Sequence, residues 1–304
     1  MFSFSEKSKA RQGRLFCQRV VCWVIFPTLL LAGALAVPAL GETPIPPPQP
    51  LCFPGAPDYS YADGRLWINI QIQVAYTPEL LTYFVCDIQT TDQGSLKTAL
   101  SGDIPMGPRE ATADIADRHG AKLAINGDAY GFHNHGIIVR NGEIIRTRQS
   151  NSYHLLALNG DGDLSVIPGH TTTGQDGAVL ADALVRGGAV QVWAFGPELV
   201  RDGVAVNFDD FRVISPRDSA REPRTAIGQI EPLHYVVVVA DGRGKGRSAG
   251  MTLREMQQVF LAAGAQTAFN LDGGGSSTLY FLGEVLNKPA GGVERSVSDI
   301  LFFD

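Results

Sequence analysis

Three predicted strands end in short turns that combine an amide or carboxylate side chain with glycine. The turns are Asn126-Gly127-Asp128, Asp241-Gly242-Arg243, and Asn270-Leu271-Asp272 followed by the run Gly273–Ser277. Glycine lets a backbone turn sharply and approach a ligand closely, and successive exposed N–H groups in such turns bind anions. One such turn alone is most often a simple Asx turn. No simple turn requires three consecutive glycines, so we expect the three turns to form one site.

Carboxylates and guanidinium groups near these turns indicate cleavage of a glycosidic bond beside a phosphate. Hydrolysis of a glycosidic bond uses two carboxyl groups, one protonated as the acid and one ionised as the base or nucleophile. Arginine binds phosphate through two parallel hydrogen bonds. The candidate carboxyl groups are Asp128, Asp241, Asp272 and Glu294, and the candidate arginines are Arg224, Arg243 and Arg295.

Other chemistries have weaker support. Ser276 or Ser277 would need a general base to act as a nucleophile, and no histidine has a positional claim to that role, so we expect these hydroxyls to hydrogen-bond to substrate. His133 and His135 could supply two metal ligands, but no clear third ligand accompanies them. Clustered Asp and Asn oxygens suit a divalent cation such as Ca²⁺, although no loop has a known calcium-binding spacing. The sequence therefore leaves a Ca²⁺ cofactor open.

Apolar patterning predicts the elements that position these turns. Strands are expected to lead into each turn, and the apolar run Val236–Val239 predicts a strand buried on both faces. A helix is predicted over Leu253–Ala263, because Thr252 and Glu255 form a capping box, and another over 109–119. These elements predict an α+β fold, with mixed β-sheets and a few packed helices in a single compact domain over residues 59–304.

The first 58 residues are expected to lie outside that domain. Basic residues precede an uncharged stretch from Val20 to Leu40, a pattern typical of a signal peptide or signal anchor, which we assign to residues 1–40. Residues 41–58 form a proline-rich linker. Whether the segment is a cleaved signal peptide or an anchor, it predicts an extracytoplasmic domain that is periplasmic, at the cell surface or secreted. If the segment is not cleaved, it also attaches the domain to the membrane. Outside the cytoplasm, Cys52 and Cys86 could form a disulfide or remain buried thiols.

The charge balance argues against a nucleic-acid partner. The 304 residues include 25 Lys and Arg against 31 Asp and Glu, a net charge of −6. Five basic residues and one acidic residue fall within residues 1–40, which leaves 20 basic and 30 acidic residues in the rest. A chain this acidic has no basic footprint for a phosphate backbone.

Five blocks of the sequence resemble the phosphodiester glycosidase family. They are Ala124–Asp128, Phe195–Val200, Pro223–Gly228, Asp241–Arg243 and Asn270–Ser277. The resemblance covers roughly residues 65 to 304 in the expected order, and the last block is highly specific. It implies hydrolysis of a sugar-1-phosphodiester, in which arginines and glycine-loop amides hold the phosphodiester while a carboxylate pair works at the anomeric carbon. It also makes Tyr130 a candidate for sugar contacts.

Together, the residues and the resemblance predict a set of site residues. Asp128, Asp241, Asp272 and Glu294 are assigned to catalysis. Substrate binding is assigned to Asn126, Gly127, Arg224, Thr225, Arg243, Asn270, Gly273, Gly274, Ser276, Ser277 and Arg295.

The expected substrate is a phosphodiester-linked carbohydrate, on an extracytoplasmic glycan or exopolysaccharide. Two alternatives stay open: a non-catalytic phosphoglycan-binding module, and a transferase in exopolysaccharide assembly. The clustered carboxylates favour catalysis, because a module that only binds anions would gain nothing from clustered negative charge.

Overall fold

Three β-sheets and three α-helices make up the part of the chain that the computed structural model describes, which is residues 53, 55–76, 79–208, 220–244 and 248–304. The helices are α1 Thr112–Arg118, α2 Gly177–Arg186 and α3 Leu253–Ala262. The strands are β1 Tyr59–Ala62, β2 Leu66–Tyr76, β3 Leu80–Thr90, β4 Leu96–Leu100, β5 Leu123–Asn126, β6 Gly136–Arg140, β7 Glu143–Arg148, β8 His154–Asn159, β9 Leu164–Ile167, β10 Ala189–Phe195, β11 Glu198–Arg201, β12 Val204–Ala205, β13 Arg224–Glu231, β14 His234–Ala240, β15 Thr267–Asn270, β16 Leu279–Phe281, β17 Glu284–Val285 and β18 Asp299–Phe303.

The largest sheet has eight strands in the order β1-β2-β3-β14-β13-β15-β11-β12. Its central strand β14 is buried along its whole length, as the Val236–Val239 run predicts. Successive side chains of a strand point to opposite faces. Val237 and Val239 therefore enter one core, while Val236 and Val238 pack in a second core with residues of α3.

Two five-stranded sheets complete the domain. Their strand orders are β7-β6-β10-β8-β9 and β17-β16-β5-β18-β4. Residues of all three sheets, among them Trp193 of β10, Phe303 of β18 and Phe269 of β15, share one apolar cluster. Helix α1 packs on the outer face of the sheet that contains β5, and α2 packs on the sheet that contains β6.

The α+β fold in one compact domain is confirmed, with one difference in strand pairing. Every pairing between strands of the described residues is antiparallel, whereas the sequence analysis expected mixed sheets. Short connections explain the part of this difference that concerns strands adjacent in sequence, because a tight hairpin can join only antiparallel strands. Asn141-Gly142 joins β6 to β7 in this way, and Pro232-Leu233 joins β13 to β14.

Antiparallel pairing also explains why the predicted turns meet. Strand β13 lies between β14 and β15 and pairs antiparallel with both, so the C-terminal ends of β14 and β15 reach the same edge. In the register, Arg224 at the start of β13 lies opposite Ala240, and Ala226 lies opposite Asn270. The turns after Ala240 and Asn270 therefore emerge side by side.

The predicted leader and linker fall largely outside this description. Residues 1–40 and Cys52 lie outside the described residues, whereas Cys86 is buried in β3. Within the described ranges, no helix is both long enough and apolar enough to cross a membrane.

Candidate active site

The side chain of Asn126 joins the first predicted turn to the third. Its Nδ2 donates to the main-chain oxygen of Asp272 over 2.7 Å. Its Oδ1 accepts from Thr225 Oγ1 at 2.8 Å and from the main-chain N–H of Thr278 at 3.3 Å. Asn126 and Thr225 are fully buried, so they hold the turns together from the interior of the domain.

The second turn is attached through Asp241 and the segment after β17. Asp241 Oδ1 accepts from the main-chain N–H of Lys288 at 2.8 Å and from Asn287 Nδ2 at 3.4 Å. Asn287 Nδ2 also donates to the main-chain oxygen of Ser277 at 3.0 Å. Burial raises the pKa of Asp241, and these two hydrogen bonds oppose the increase. The three turns thus meet at one edge of the domain.

The glycine run packs too closely against its neighbours to carry side chains. A Cβ added at Gly273 would lie 2.7 Å from the main-chain oxygen of Pro223, and one at Gly274 would lie 3.0 Å from Nη2 of Arg243. A Cβ on the next glycine would face Arg295. The loop therefore passes between two guanidinium groups, which requires glycine.

Most amides of this loop do not face a ligand, contrary to the expectation of an anion-binding nest. The N–H of Gly274 donates to the main-chain oxygen of Pro223 at 2.8 Å. Those of Ser276 and Ser277 donate within the loop, to Gly273 and Gly274. Anion binding at this edge consequently depends on side chains.

Asp272 and Arg295 form the partly exposed ion pair of the site. Asp272 Oδ2 lies 2.6 Å from Arg295 Nη2, and Arg295 Nε donates to Ser276 Oγ at 2.7 Å. The side chains of Asp272 and Arg295 are 14% and 42% exposed. Burial raises the pKa of Asp272, and the charge of Arg295 opposes that increase. A carboxylate and a guanidinium group are therefore available together at the meeting point of the turns.

Arg243 supplies a second exposed guanidinium group on the other side of the glycine loop. Its Nε lies 2.5 Å from Oε2 of Glu222, and its side chain is half exposed. The sequence analysis did not single out Glu222, because a lone acidic residue before Pro223 has no distinguishing pattern.

Asp128, assigned to catalysis from the sequence, lies buried against Arg140 and apart from the Asp272–Arg295 pair. Its Oδ2 accepts from the main-chain N–H of Ala194 at 2.7 Å, and its Oδ1 lies 3.1 Å from Arg140 Nη2. Its side chain has no exposed surface. Both oxygens of Asp128 are therefore bonded inside the domain in this structure.

Arg140 lies between two buried carboxylates, an arrangement that the sequence analysis missed. Its Nη2 contacts Asp128 and also Asp299 Oδ2, at 2.7 Å. One guanidinium group cannot neutralise two ionised carboxylates in a dry interior. Accordingly, burial raises the pKa of Asp299, with a further increase from the charge of Asp128 and opposition from Arg140. Nothing in the local sequence distinguishes either residue from a surface charge.

Glu294 also lies apart from the meeting point. Its Oε2 accepts from the main-chain N–H of Ala113 at 3.1 Å and so caps the first turn of α1. Burial raises its pKa, and that hydrogen bond opposes the increase. The neighbouring residue Arg295 points to Asp272 instead, so only one of the two predicted charges belongs to the site.

Two predicted substrate-binding residues serve main-chain positions. Arg224 is buried, and its guanidinium group donates to the main-chain oxygen of Met251 at 2.8 Å. Asn270 Nδ2 donates to the main-chain oxygen of Gly196 at 2.8 Å. These contacts connect the strands to the loops around the site.

Aromatic side chains near the site come from loops that the sequence analysis did not assign to it. The rings of His133 and Tyr153 stack with centroids 4.7 Å apart, and Phe195 lies 6.3 Å from Tyr153. Burial raises the pKa of Tyr153, and the negative charges of Asp128 and Asp272 raise it further. Tyr130, in contrast, is fully buried and cannot make the predicted sugar contacts.

The described residues do not include a group of three or more His, Cys, Asp or Glu side chains arranged to hold a metal ion. His133, one of the two histidines considered as ligands, stacks on Tyr153, and burial lowers its pKa.

A sequence model of the phosphodiester glycosidase family matches residues 119–303. The chain belongs to this family. The match includes all three turns, the ion pair of Asp272 with Arg295, and the buried trio of Asp128, Arg140 and Asp299.

This chain is similar in sequence to one curated protein and in fold to several solved structures. Over 203 residues it is 30% identical to the SPbeta prophage-derived uncharacterized protein YomE of Bacillus subtilis, spanning 64% of this chain but only 29% of YomE. The zebrafish N-acetylglucosamine-1-phosphodiester α-N-acetylglucosaminidase catalytic domain, auto-inhibited by its pro-peptide, superposes with a TM-score of 0.62, covering 82% of this chain and 86% of that one at 19% identity. A hypothetical protein from Synechocystis superposes with a TM-score of 0.51, covering 78% and 62% at 15% identity. The two structural matches establish a shared fold.

The contact between Gly127 and Asp299 provides a stability prediction. A Cβ at position 127 would overlap with the carboxylate of Asp299, whereas one at Gly160 would meet no atom within 4 Å. We expect Gly127→Ala to lower the free energy of unfolding by about 1–3 kcal/mol, as overpacking of a buried position does. Gly160→Ala is the control and should change it by less than about 0.5 kcal/mol. Urea unfolding of both variants measures this, and equal stabilities would contradict the packing argument.

The raised pKa of Asp299 predicts how stability depends on pH. In the folded state Asp299 retains a proton that the unfolded chain releases above about pH 4. Stability should therefore fall as pH rises from there to the raised pKa, by at most about 1.4 kcal/mol per pH unit. Asp299→Asn should remove the part of this decline that Asp299 contributes and leave the part due to the other carboxyl groups whose pKa burial raises, whereas Asp114→Asn, at an exposed position, should keep the whole decline. Unfolding free energies of the three proteins, measured across pH, test this prediction. Parallel curves for the wild type and Asp299→Asn would contradict it.

Proposed function

We propose that this chain hydrolyses the glycosidic bond of sugar-1-phosphodiesters carried on an extracytoplasmic glycan or exopolysaccharide. The observation that carries the proposal is the partly exposed Asp272–Arg295 pair where three turns meet. Family membership supports a glycosidase-type hydrolase, and the charged, then apolar, N-terminal sequence supports a location outside the cytoplasm.

The proposed reaction breaks the bond between the anomeric carbon and the phosphate oxygen. Water supplies the hydroxyl group that the sugar gains, and the electron pair of the broken bond stays on the phosphate. The phosphodiester carries one negative charge, and the departing phosphomonoester carries nearly two at neutral pH. Guanidinium groups that meet this growing charge stabilise the transition state more than the ground state. Arg295 and Arg243, on either side of the glycine loop, have the charge and exposure for this role.

The carboxylates have the complementary role at the sugar. We assign Asp272 to the anomeric carbon, as nucleophile or as base for the attacking water, and Asp241 as the second carboxylate of the site. A phosphomonoester has a second pKa near ~6, so it departs with less help from a general acid than an alcohol needs. One ionised carboxylate and strong anion stabilisation therefore account for most of what the reaction requires.

The fold relative suggests which sugar to test first. The zebrafish protein is named for N-acetylglucosamine-1-phosphodiesters. The stacked rings of His133 and Tyr153, with Phe195 beside them, could pack on the apolar face of such a sugar.

Replacing Asp272 tests the assignment directly. With methyl phosphodiesters of glucose-1-phosphate and N-acetylglucosamine-1-phosphate, we expect Asp272→Asn to lower kcat by about 10³-fold or more, because it removes the ionised group from the reacting carbon. Glu294→Gln is the matched control: it should retain activity, because Glu294 caps α1 and lies away from the turns.

The rate of sugar release by the wild-type protein and by both variants is measured by liquid chromatography. Wild-type protein that releases no sugar across the panel would contradict the proposed function. Transfer of the sugar to an added alcohol in preference to water would identify a transferase instead.

Burial raises the pKa of Asp272 and the charge of Arg295 lowers it, and together they predict how kcat/KM depends on pH. If the ionised form is required, kcat/KM falls as pH drops through a pKa that burial raises above the ordinary aspartate range. Removing the positive charge with Arg295→Gln should move this acidic limb to higher pH, since Arg295 lowers the pKa. Arg186→Gln, at the exposed end of α2, should leave the limb in place. A limb that is unchanged in Arg295→Gln would remove Asp272 as the titrating group.

A further inference from the structure

Arg109 differs from the other arginines around the site because no acidic group accompanies it. Arg295 pairs with Asp272 and Arg243 pairs with Glu222. Among the residues that the structure describes, none forms a salt bridge or hydrogen bond with the Arg109 side chain, which is exposed. Its guanidinium carbon lies 4.1 Å from the centroid of the Phe132 ring.

Phe132 connects Arg109 to the reacting groups. The guanidinium carbon of Arg295 lies 4.9 Å from the centroid of the same ring, so both arginines contact one aromatic side chain. Arg295 also holds Asp272. Arg109 and the guanidinium group of the ion pair that we place at the scissile bond therefore contact the same aromatic ring.

The loop that carries Phe132 is fixed by hydrogen bonds from Arg146. Arg146 donates to the main-chain oxygen of Tyr130 at 2.7 Å and to that of His135 at 3.0 Å, on either side of the ring in sequence. The Phe132 ring is nonetheless 40% exposed. An exposed ring on a fixed loop, stacked with an unneutralised guanidinium group, presents oriented donors to solvent at little entropic cost.

We propose that Arg109 and Phe132 form a subsite for a second phosphate of the substrate, on the neighbouring repeat of a phosphodiester-linked polymer. This inference rests on the proposed function and narrows its substrate class to polyanionic chains. Arg295 and Arg243 serve the scissile phosphodiester and have their own carboxylates. The unpaired charge of Arg109 is matched by an additional anion, and the guanidinium edge suits phosphate oxygens. Phe132 is the surface on which the intervening unit packs.

The test compares two substrates that differ only in the second phosphate. Both are phosphodiesters of N-acetylglucosamine-1-phosphate with the same hydroxyalkyl aglycone; in the second substrate the terminal hydroxyl of that aglycone carries a methyl phosphodiester. We expect wild-type kcat/KM to be about tenfold higher for the second substrate, and the preference to shrink as ionic strength rises. Arg109→Gln should abolish the preference while retaining the activity on the first substrate. Phe132→Leu should reduce the preference, and Arg186→Gln should preserve it.

Binding measurements separate failure of this inference from failure of the proposed function. Calorimetric titration of the Asp272→Asn protein with both compounds does not require turnover. Tighter binding of the doubly charged compound, lost in Asp272→Asn/Arg109→Gln, supports the subsite even if neither compound is cleaved. Equal binding and equal kcat/KM for the two compounds would overturn it. A loss in Arg109→Gln that is the same for both compounds would also overturn it, because Arg109 would then serve the primary site.

Discussion

The candidate site depends on one buried amide. Asn126 ends β5 in one sheet, yet its side chain bonds to Thr225 and to the loop after β15, both of the largest sheet. An amide provides a donor and an acceptor on one side chain, whereas an ionised carboxylate only accepts, so Asn suits this position better than Asp. Because Asn126 fixes Asp272 through its main-chain oxygen, the carboxylate of Asp272 is free to pair with Arg295.

Residues that resemble one another in sequence have different physical roles at this edge. Asp128, Asp241 and Asp272 each follow a strand, but Asp128 is fixed in a dry trio with Arg140, whereas Asp272 retains exposed surface. The difference arises from what lies behind each turn. Arg140 comes from β6, and the carboxylate of Asp128 points at Arg140 and forms a buried ion pair with it. Local sequence cannot reveal this, because the partner lies in another sheet.

The sequence predicted the elements better than the directions of side chains. Helix α3 has the predicted capping box, and β14 is buried on both faces as predicted. Strong local signals, an N-cap and a run of valines, are sufficient there. Helix α2 was not predicted, although Asp176 caps it. Glu294 and Arg295 show the limit most clearly: adjacent side chains of an extended segment point apart, and only tertiary structure determines which one faces the site.

Strand β18 has a consequence for how the protein is made. It pairs with β5 on one side and β4 on the other, and its first residue, Asp299, contacts Arg140 beneath the turn that contains Asn126. During synthesis, β5 leaves the ribosome more than 170 residues before β18 does. Until β18 is added, β5 lacks one neighbour and Arg140 lacks one of its two acids. The edge where the three turns meet can therefore be completed only after translation has passed β18, so a shorter nascent chain carries the side chains of the candidate site without their assembled geometry.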